Sequence, residues 1–264
     1  MALSTLDGLI AAPRQGLTIR KTASVTAVAA QITAVHQAAG NPGAGVLAVG
    51  NTDNGLVPTD AVAGFPLINA FGASAKGYIA ALEFLNTVAA NLILYDRLFH
   101  AGAYAFNANV TLASQPSFAS RVPGGTDFTG LELWVEAVTA FTGNLSINVG
   151  YRNQAGADVS TGVIATGIAP AIARVIPLPL AAGDSGIQRI NSVVATVATV
   201  GTFNLVVVRR LATMRVLAAN TGDCWGFDRT GLAEVFADSA LCLAVQPDST
   251  ATGLPYVGID IANG

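Results

Sequence analysis

Charged side chains are scarce in this sequence. Asp, Glu, Lys and Arg make up 11% of the 264 residues, against about 25% in ordinary soluble domains. The net charge is −3, and the two lysines are Lys21 and Lys76. Basic residues are scattered, apart from Arg209, Arg210 and Arg215. A nucleic-acid-binding surface needs clustered positive charge, so the sequence predicts no nucleic-acid partner.

Cysteine and histidine are equally rare, with two of each. Cys224 and Cys242 could form a disulfide, coordinate a ligand or remain buried thiols. The last is favoured because Cys242 lies in the apolar run LCLAV, and a free cysteine behaves as a small apolar residue. Two cysteines with His36 and His100 do not form a zinc set. The sequence therefore predicts no metal and no cofactor.

Long apolar runs are also missing, although the mean hydropathy is +0.54. No run of 18 apolar residues occurs, so no membrane-spanning helix and no membrane partner are expected. Asp7, Arg14, Arg20 and Lys21 precede the first apolar segment, which is not typical of a secretory signal. A charge-poor chain of this kind must bury surface, and self-association or docking on a larger particle is predicted. A monomer covered by Ala, Gly, Ser and Thr remains the alternative.

The clearest pattern that is present runs from Leu131 to Arg152. Apolar residues alternate with polar ones in both arms, and Thr142-Gly143-Asn144 lies between the arms. This period of two predicts an antiparallel hairpin with one buried face. Glu132, Glu136, Asn148 and Arg152 are then expected to point away from the core.

Further runs with strand character are separated by turn signals along the chain. They predict a mainly β fold, an antiparallel two-sheet sandwich resembling a jelly roll, with a short N-terminal helix and an extended arm. The domain division predicted is an N-terminal helix and arm over residues 1–75 and a sandwich body over 76–264. The other predicted strand pairs are Tyr78–Asn86 with Leu92–His100, Gln188–Thr199 with Phe203–Arg210, and Ala240–Gln246 with Pro255–Ala262, with a return strand at Ser160–Thr166.

The N-terminal segment is predicted to bind a partner. Residues 22–39 place Val25, Val28, Ile32 and Val35 at helical spacing, which favours a short amphipathic helix with one narrow apolar stripe. Residues 51–71 are rich in Gly, Asn, Asp and Pro and indicate an extended arm. We expect the stripe to dock on a neighbouring subunit or particle, with folding back onto its own sandwich as the alternative.

One catalytic pattern is present. Gly183-Asp184-Ser185-Gly186 matches the core of the trypsin-like protease signature, and His36, Asp96 and Ser185 follow that family's order. The match is poor, because Ile187 replaces the expected second glycine and Gln37 replaces the cysteine after the histidine. A turn leading into a strand at Gln188 explains the same residues, and we favour it.

Other candidate sites are weaker. Glu132 and Glu136 share a strand face, but no apolar pocket that would raise an acid's pKa is evident, so glycosidase chemistry has little support. Trp134 and Trp225 could line a sugar site, although core positions suit them better. Asp96 and Arg97 are strand neighbours that should face opposite sides, each pairing with an adjacent strand or subunit. No catalytic residue is predicted.

Four short phrases cover most of the chain from residue 40 and carry no catalytic content. They are GNPGAG (40–45), LILYDRLFHAG (92–102), IPLPLAAGDSG (176–186) and TGLAEVFADSALCLAV (230–245). These phrases resemble structural proteins of tailed-bacteriophage virions. The resemblance implies a non-enzymatic virion component, such as a capsid decoration or minor capsid protein, which assembles with itself and with proteins such as the major capsid protein.

The resemblance also implies a location, the virion, assembled in the bacterial host cytoplasm. It does not separate head decoration from a tail or neck appendage that binds a receptor or carbohydrate, which stays the first alternative. The trypsin-like serine protease is the remote one.

Overall fold

The computed structural model describes residue 3 and residues 5–72, 76–166, 171–196 and 201–264. Antiparallel strands dominate it, and the predicted mainly β class with a short N-terminal helix is confirmed. The helices are α1 (Leu6–Ala11) and α2 (Phe227–Thr230). The strands are β1 (Arg14–Lys21), β2 (Ile32–Ala34), β3 (Gly40–Asn41), β4 (Asn51–Leu56), β5 (Gly77–Asn86), β6 (Ala90–Ala105), β7 (Asn109–Thr111), β8 (Leu131–Ala137), β9 (Ser146–Asn153), β10 (Asp158–Ser160), β11 (Ile164–Ala165), β12 (Arg174–Leu178), β13 (Ile187–Ala195), β14 (Thr202–Val216), β15 (Thr221–Trp225), β16 (Glu234–Val235), β17 (Leu241–Pro247) and β18 (Tyr256–Asn263).

The described strands form three antiparallel sheets. The terminal sheet has the order β15-β5-β18-β1-β3, with β16 beside β5. The cover sheet has the order β10-β9-β13-β7, with β11 on β9. The middle sheet has the order β14-β8-β12-β2-β17-β6, and β14 also pairs with β6. It therefore closes on itself as a six-stranded ring, with β4 attached outside to β6.

Two long strands of the ring connect two separate apolar cores. β6 and β14 pair over 13 aligned positions. In the first half of β6, Leu92 and Leu94 pack toward the terminal sheet. In the second half, Leu98 and Phe99 pack toward the cover sheet. Each outer sheet thus forms a sandwich with one half of the ring, because a strand presents alternate residues to opposite faces.

The predicted hairpin of Leu131 to Arg152 is wrong in its pairing and right in its main buried face. β8 belongs to the ring and β9 to the cover sheet, and the two strands are not paired with each other. Leu133 and Val135 instead meet Ile147 and Val149 across the sandwich. A turn signal shows that the chain reverses, but not whether the strands end side by side or face to face.

The same correction applies to the other predicted pairs. β5 and β6 lie in different sheets, as do β13 and β14, and β17 and β18. Of the predicted strand Gln188–Thr199, residues 197–199 lie outside the described part of the chain. The return strand predicted at Ser160–Thr166 is instead two short strands, β10 and β11, both of which pair with β9 as a return would.

The predicted helix over residues 22–39 is wrong. This segment contains β2, which closes the ring between β12 and β17, and the N-terminal helix is α1 instead. Val35 is buried in the core beneath the terminal sheet, and Ile32 packs inside the ring. β-Branched residues lose side-chain freedom in a helix and suit strands, so pairing within the ring prevails over a weak helical spacing. Contact of the half-buried Val25 and Val28 with a partner stays a prediction.

The predicted extended arm over residues 51–71 is also tied to the body. β4 pairs with β6, and Phe65, Ile68 and Phe71 are buried. β1 lies between β18 and β3 in the terminal sheet. Strand pairing thus crosses the predicted domain boundary between residues 75 and 76. Residues 73–75, next to that boundary, lie outside the described part of the chain. Division into two folding units stays a prediction.

Candidate functional site

The interior of the ring is the most unusual environment in the described chain. Its walls are mostly apolar, and the aromatic rings of Tyr95 and Trp134 meet edge to face, with centroids 4.9 Å apart. Alternation along β6 and β8 also brings Arg97 and Glu136 to this side, where both are almost completely buried. A charge buried in an apolar environment needs a partner, so these two side chains require each other.

Arg97 and Glu136 form the centre of a buried network. The guanidinium of Arg97 donates to the Glu136 carboxylate, and Asn204 Nδ2 donates to the same carboxylate at 3.0 Å. Burial alone raises the pKa of Glu136, but the charges of Arg97 and His36 outweigh it and lower that pKa to about 2. The sequence reasoning placed Glu136 on an outward face, and this is wrong because the outward face of β8 is the inside of a closed ring.

Two histidines border this network. His36 lies against Arg97 Nη1, with its Nδ1 at 3.5 Å and its Nε2 at 3.4 Å, and its Nε2 is also 3.4 Å from the carbonyl oxygen of Val46. The carbonyl can only accept, so the contact with Val46 needs a proton on Nε2. Burial lowers the pKa of His36 to about 4 and that of His100 to about 3. Both imidazoles are therefore neutral at pH 7.

His100 lies at the mouth of the ring beside a cavity. A bulge in the pairing of β6 with β14 falls between Arg97 and Phe99, which shifts the alternation and brings His100 to the side of Arg97. The cavity measures about 200 Å³. His100 is 7% exposed, and neither of its ring nitrogens has a hydrogen-bond partner in the part of the chain that the structure describes. The polar lining is His36, Arg97 and His100, and the apolar lining is Val46, Ala48, Val49, Leu56, Val62, Ala63 and Phe65.

A second charged cluster lies on the other face of β6. The Asp96 carboxylate accepts from Arg121 and, at 2.8 Å, from Ser239 Oγ, and Arg209 Nη2 lies 3.7 Å away. Arg121 also donates to the carbonyl oxygen of Arg97 at 2.9 Å. Asp96 and Arg97 thus face opposite sides and pair with other segments, as predicted. Neither cluster is exposed enough to meet a large substrate.

The three residues of the protease hypothesis have different partners and are not joined. Ser185 donates its backbone N–H to Gln154 Oε1 at 3.1 Å. Asp184 accepts from the hydroxyl of Tyr151 at 2.6 Å and from Asn153 at 2.8 Å. His36 contacts Arg97, while Asp96 pairs with Arg121. The segment is a turn leading into β13, as the favoured interpretation predicts.

The remaining candidate residues also have structural contacts. Glu132 accepts from Trp134 Nε1 at 2.8 Å and pairs with Arg210. Trp134 is buried, whereas Trp225 lies beneath the guanidinium of Arg229, 4.4 Å from its ring centre. Neither tryptophan forms an open sugar platform.

Both cysteines are free thiols. Cys242 is buried inside the ring, where burial raises its thiol pKa to about 12, and the prediction of a buried thiol is confirmed for it. Cys224 is exposed at the edge of the terminal sheet, so the same prediction is wrong for it. Among the described residues no group of three His, Cys, Asp or Glu side chains could hold a metal ion. No helix in the described ranges is long and apolar enough to cross a membrane.

Sequence reasoning missed the buried cation Lys21. Its Nζ donates to the carbonyl oxygens of His36, Ala38 and Pro42 at 3.4, 3.2 and 3.0 Å. Lys21 continues the inward alternation of β1 after Leu17 and Ile19, and that position is the one signal that could have revealed it. It fixes the loop after β2, which carries His36.

Comparison with known proteins gives little. No family model and no curated protein sequence matches the chain. The chain is similar to VP2 in the subviral particle of infectious bursal disease virus, at 8% identity and a TM-score of 0.21, over 95% of this chain and 79% of that one. It is also similar to the protein of T=1 particles derived from the same virus, at 8% identity and a TM-score of 0.17, over 95% and 76%. Likenesses this weak carry no argument about fold or function.

Proposed function

We propose that this chain is a non-enzymatic structural protein of a tailed-phage virion, a capsid decoration or minor capsid protein that acts by assembly. The observation that carries the proposal is the number of large apolar side chains left exposed on a body with 11% charged residues. The phrases shared with phage virion proteins support the same reading. The exposed side chains are Leu6, Ile10, Val46, Val62, Leu67, Leu85, Val163, Ile172, Leu217, Phe227 and Leu254.

Helix α1 offers the clearest contact surface. Leu9 packs against Ala80 and Ala262 on the outer face of the terminal sheet. Leu6 and Ile10 lie one turn apart on the helix and are 56% and 69% exposed. Burying the remaining exposed surface of the two side chains contributes roughly 2–4 kcal/mol before ordering costs. We propose that α1 contacts a second copy of the chain or the major capsid protein.

The buried chemistry of the ring supports a structural role. The carboxylates of Asp96 and Glu136 and the guanidiniums of Arg97 and Arg121 are bonded to one another or to backbone carbonyls. Groups held in this way stabilise one arrangement of strands. Function then comes from apolar burial against neighbours, repeated by particle symmetry in the virion that forms in the host cytoplasm.

A tail or neck appendage that binds a carbohydrate is the second candidate. Arg152 and Arg189 are aligned opposite each other on β9 and β13, beside a cavity of about 260 Å³. Arg152 has no hydrogen-bonding or charged partner among the described residues. Two adjacent guanidiniums with the ring of Phe128 and the hydroxyl of Ser117 would suit an acidic sugar.

Immunogold labelling of phage particles, viewed in negative stain, tests the proposal. Label over the head is expected for a decoration or minor capsid protein. Label on the tail or neck, together with binding on a glycan array that Arg152→Ala abolishes, would favour the appendage. Absence of label from intact and from opened particles would overturn the virion role.

A further inference from the structure

We propose that the cavity at the mouth of the ring is a binding site for a small monocarboxylate with a short apolar chain. The cavity lies between the ring, which supplies Arg97 and His100, and the two loops that carry Val46 and Val62. Nothing in the assembly role requires such a site.

The unpartnered polar atoms define the head group. His100 Nδ1 and Nε2 and Arg97 Nε are buried and have no hydrogen-bond partner among the described residues. An unsatisfied buried polar atom costs about 1–3 kcal/mol, and both side chains line this cavity, which points to an absent partner there. The Arg97 Nε–H can only donate, and a neutral imidazole offers one donor and one acceptor. Two of the three atoms therefore need acceptor oxygens on the partner.

The free donor of Arg97 favours a carboxylate among possible acceptors. Glu136 accepts from Arg97 and Asn204, so its charge is already paired. The charged and titratable groups facing His100 are Arg97, Glu136 and His36. An anion gains a charge-assisted hydrogen bond from the Arg97 Nε–H, and such bonds are roughly twice as strong as neutral ones.

The rest of the lining defines the tail. Seven of the ten lining residues are aliphatic or aromatic, including Val49, Leu56 and Phe65. A volume of about 200 Å³ is below the ~300–1,000 Å³ typical of drug-sized ligands. It suits a chain of a few carbons. Val46 and Val62 are exposed on the outer loops and border the entrance.

Isothermal titration calorimetry with hexanoate, hexanol and hexylammonium tests the site at pH 7. We expect saturable binding of hexanoate, binding of hexanol weaker by about tenfold, equivalent to ~1.4 kcal/mol, and no binding of hexylammonium. His100→Phe removes the unpartnered nitrogens and should weaken hexanoate binding by about tenfold or more. Val49→Phe should fill the apolar end and block it.

Val163→Phe is the matched control, because it adds the same ring at an exposed valine between β10 and β11. It should leave hexanoate binding unchanged. Circular dichroism checks that each variant is folded. If His100→Phe fails to fold, the effect of Val49→Phe and the comparison of the three ligands on the wild-type protein still test the proposal. The proposal is overturned if wild-type protein shows no saturable hexanoate binding, if hexanol or hexylammonium binds as tightly, or if folded Val49→Phe binds hexanoate like the control.

Discussion

The core beneath the cover sheet and the interior of the ring share strands of the ring, but they differ in the chemistry of the side chains that fill them. Leu133 and Val135 of β8 face the cover sheet within a cluster of buried hydrophobic side chains. Trp134 and Glu136 of the same strand face the ring, where charged and aromatic side chains share the space. One alternating strand thus lines an apolar core with one face and a polar network with the other.

The difference separates two physical roles. Apolar burial beneath the cover sheet stabilises the fold in a non-directional way. Burying Arg97 and Glu136 costs desolvation free energy. The attraction between the two charges offsets that cost only when both side chains are placed correctly. We therefore expect the ring interior to select one arrangement of strands, and the sandwich cores to supply most of the stability.

The largest effect is expected for Val149→Asp in the core beneath the cover sheet. Val149 is fully buried within a cluster of hydrophobic side chains. An unpaired carboxylate there should cost at least about 5 kcal/mol, comparable with the whole stability of a domain. Chemical denaturation should show an unfolded or barely folded protein.

Its control is Asn148→Asp, half-buried on the opposite face of β9. This variant should still unfold cooperatively, with a much smaller loss of unfolding free energy than Val149→Asp. Equal midpoints for the two variants would show that the facing of β9 is misassigned.

Arg97→Met should come next, at about 3–5 kcal/mol, because it leaves the buried Glu136 carboxylate without its cation. The double variant Arg97→Met/Glu136→Leu should recover most of that loss, since both charges are then removed. Urea denaturation of both variants measures the difference. A double variant no more stable than Arg97→Met would show that the pair is not coupled as described.

Acidification should destabilise the ring more than the sandwiches. His36 and His100 have folded pKa values of about 4 and about 3, below the ordinary value of 6.5. The unfolded chain therefore binds their protons first, so stability is complete above about pH 6.5 and falls as the pH drops. Between pH 7 and pH 5 the loss should be on the order of 2 kcal/mol for each histidine.

Denaturation midpoints across this pH range measure the effect. His100→Phe should show a shallower decline than wild type, and Glu136, with a pKa of about 2, adds a further loss below about pH 4.5. A pH dependence identical in His100→Phe and wild type would contradict the assignment of His100.

The smallest effect is expected for Arg215→Ala. Arg215 pairs with Asp248 at 2.6 Å, but both side chains are more than 40% exposed. Such surface pairs contribute about 0–1 kcal/mol and weaken with salt. Thermal denaturation should show little change, and a loss as large as that of Arg97→Met would erase the contrast between buried and surface charges.

The sequence predicted the class and the positions of β5, β6, β8, β9, β13, β14, β17 and β18, because apolar alternation reports burial directly. It did not predict β1, β2, β4 or β12. It predicted hairpins wherever a turn separated two strands, yet β8 and β9 lie in facing sheets. A period of two is identical in both arrangements, and only long-range pairing, such as β8 with β14, separates them.

The candidate site was less accessible to sequence reasoning. Glu136 lies on the face of β8 that the alternation marks as polar. Nothing in the local sequence shows that this face points into a closed ring. The position of His100 depends on a bulge in β6, which no nearby residue signals. The charged pair Asp96-Arg97 inside an apolar strand was the available hint, and its opposite facing was predicted correctly. The helical spacing of Val25, Val28, Ile32 and Val35 predicted a helix wrongly, because strand pairing of β2 within the ring outweighs that weak local preference.

Light scattering of the purified wild-type protein at micromolar concentration tests the central claim of assembly most directly. Exposed Leu6 and Ile10 on a charge-poor body predict an oligomer. Ile10→Asp should shift it toward smaller species, while Ser160→Asp, at an exposed polar position of β10, should leave it intact. A monodisperse monomer that also fails to bind capsids would contradict the account.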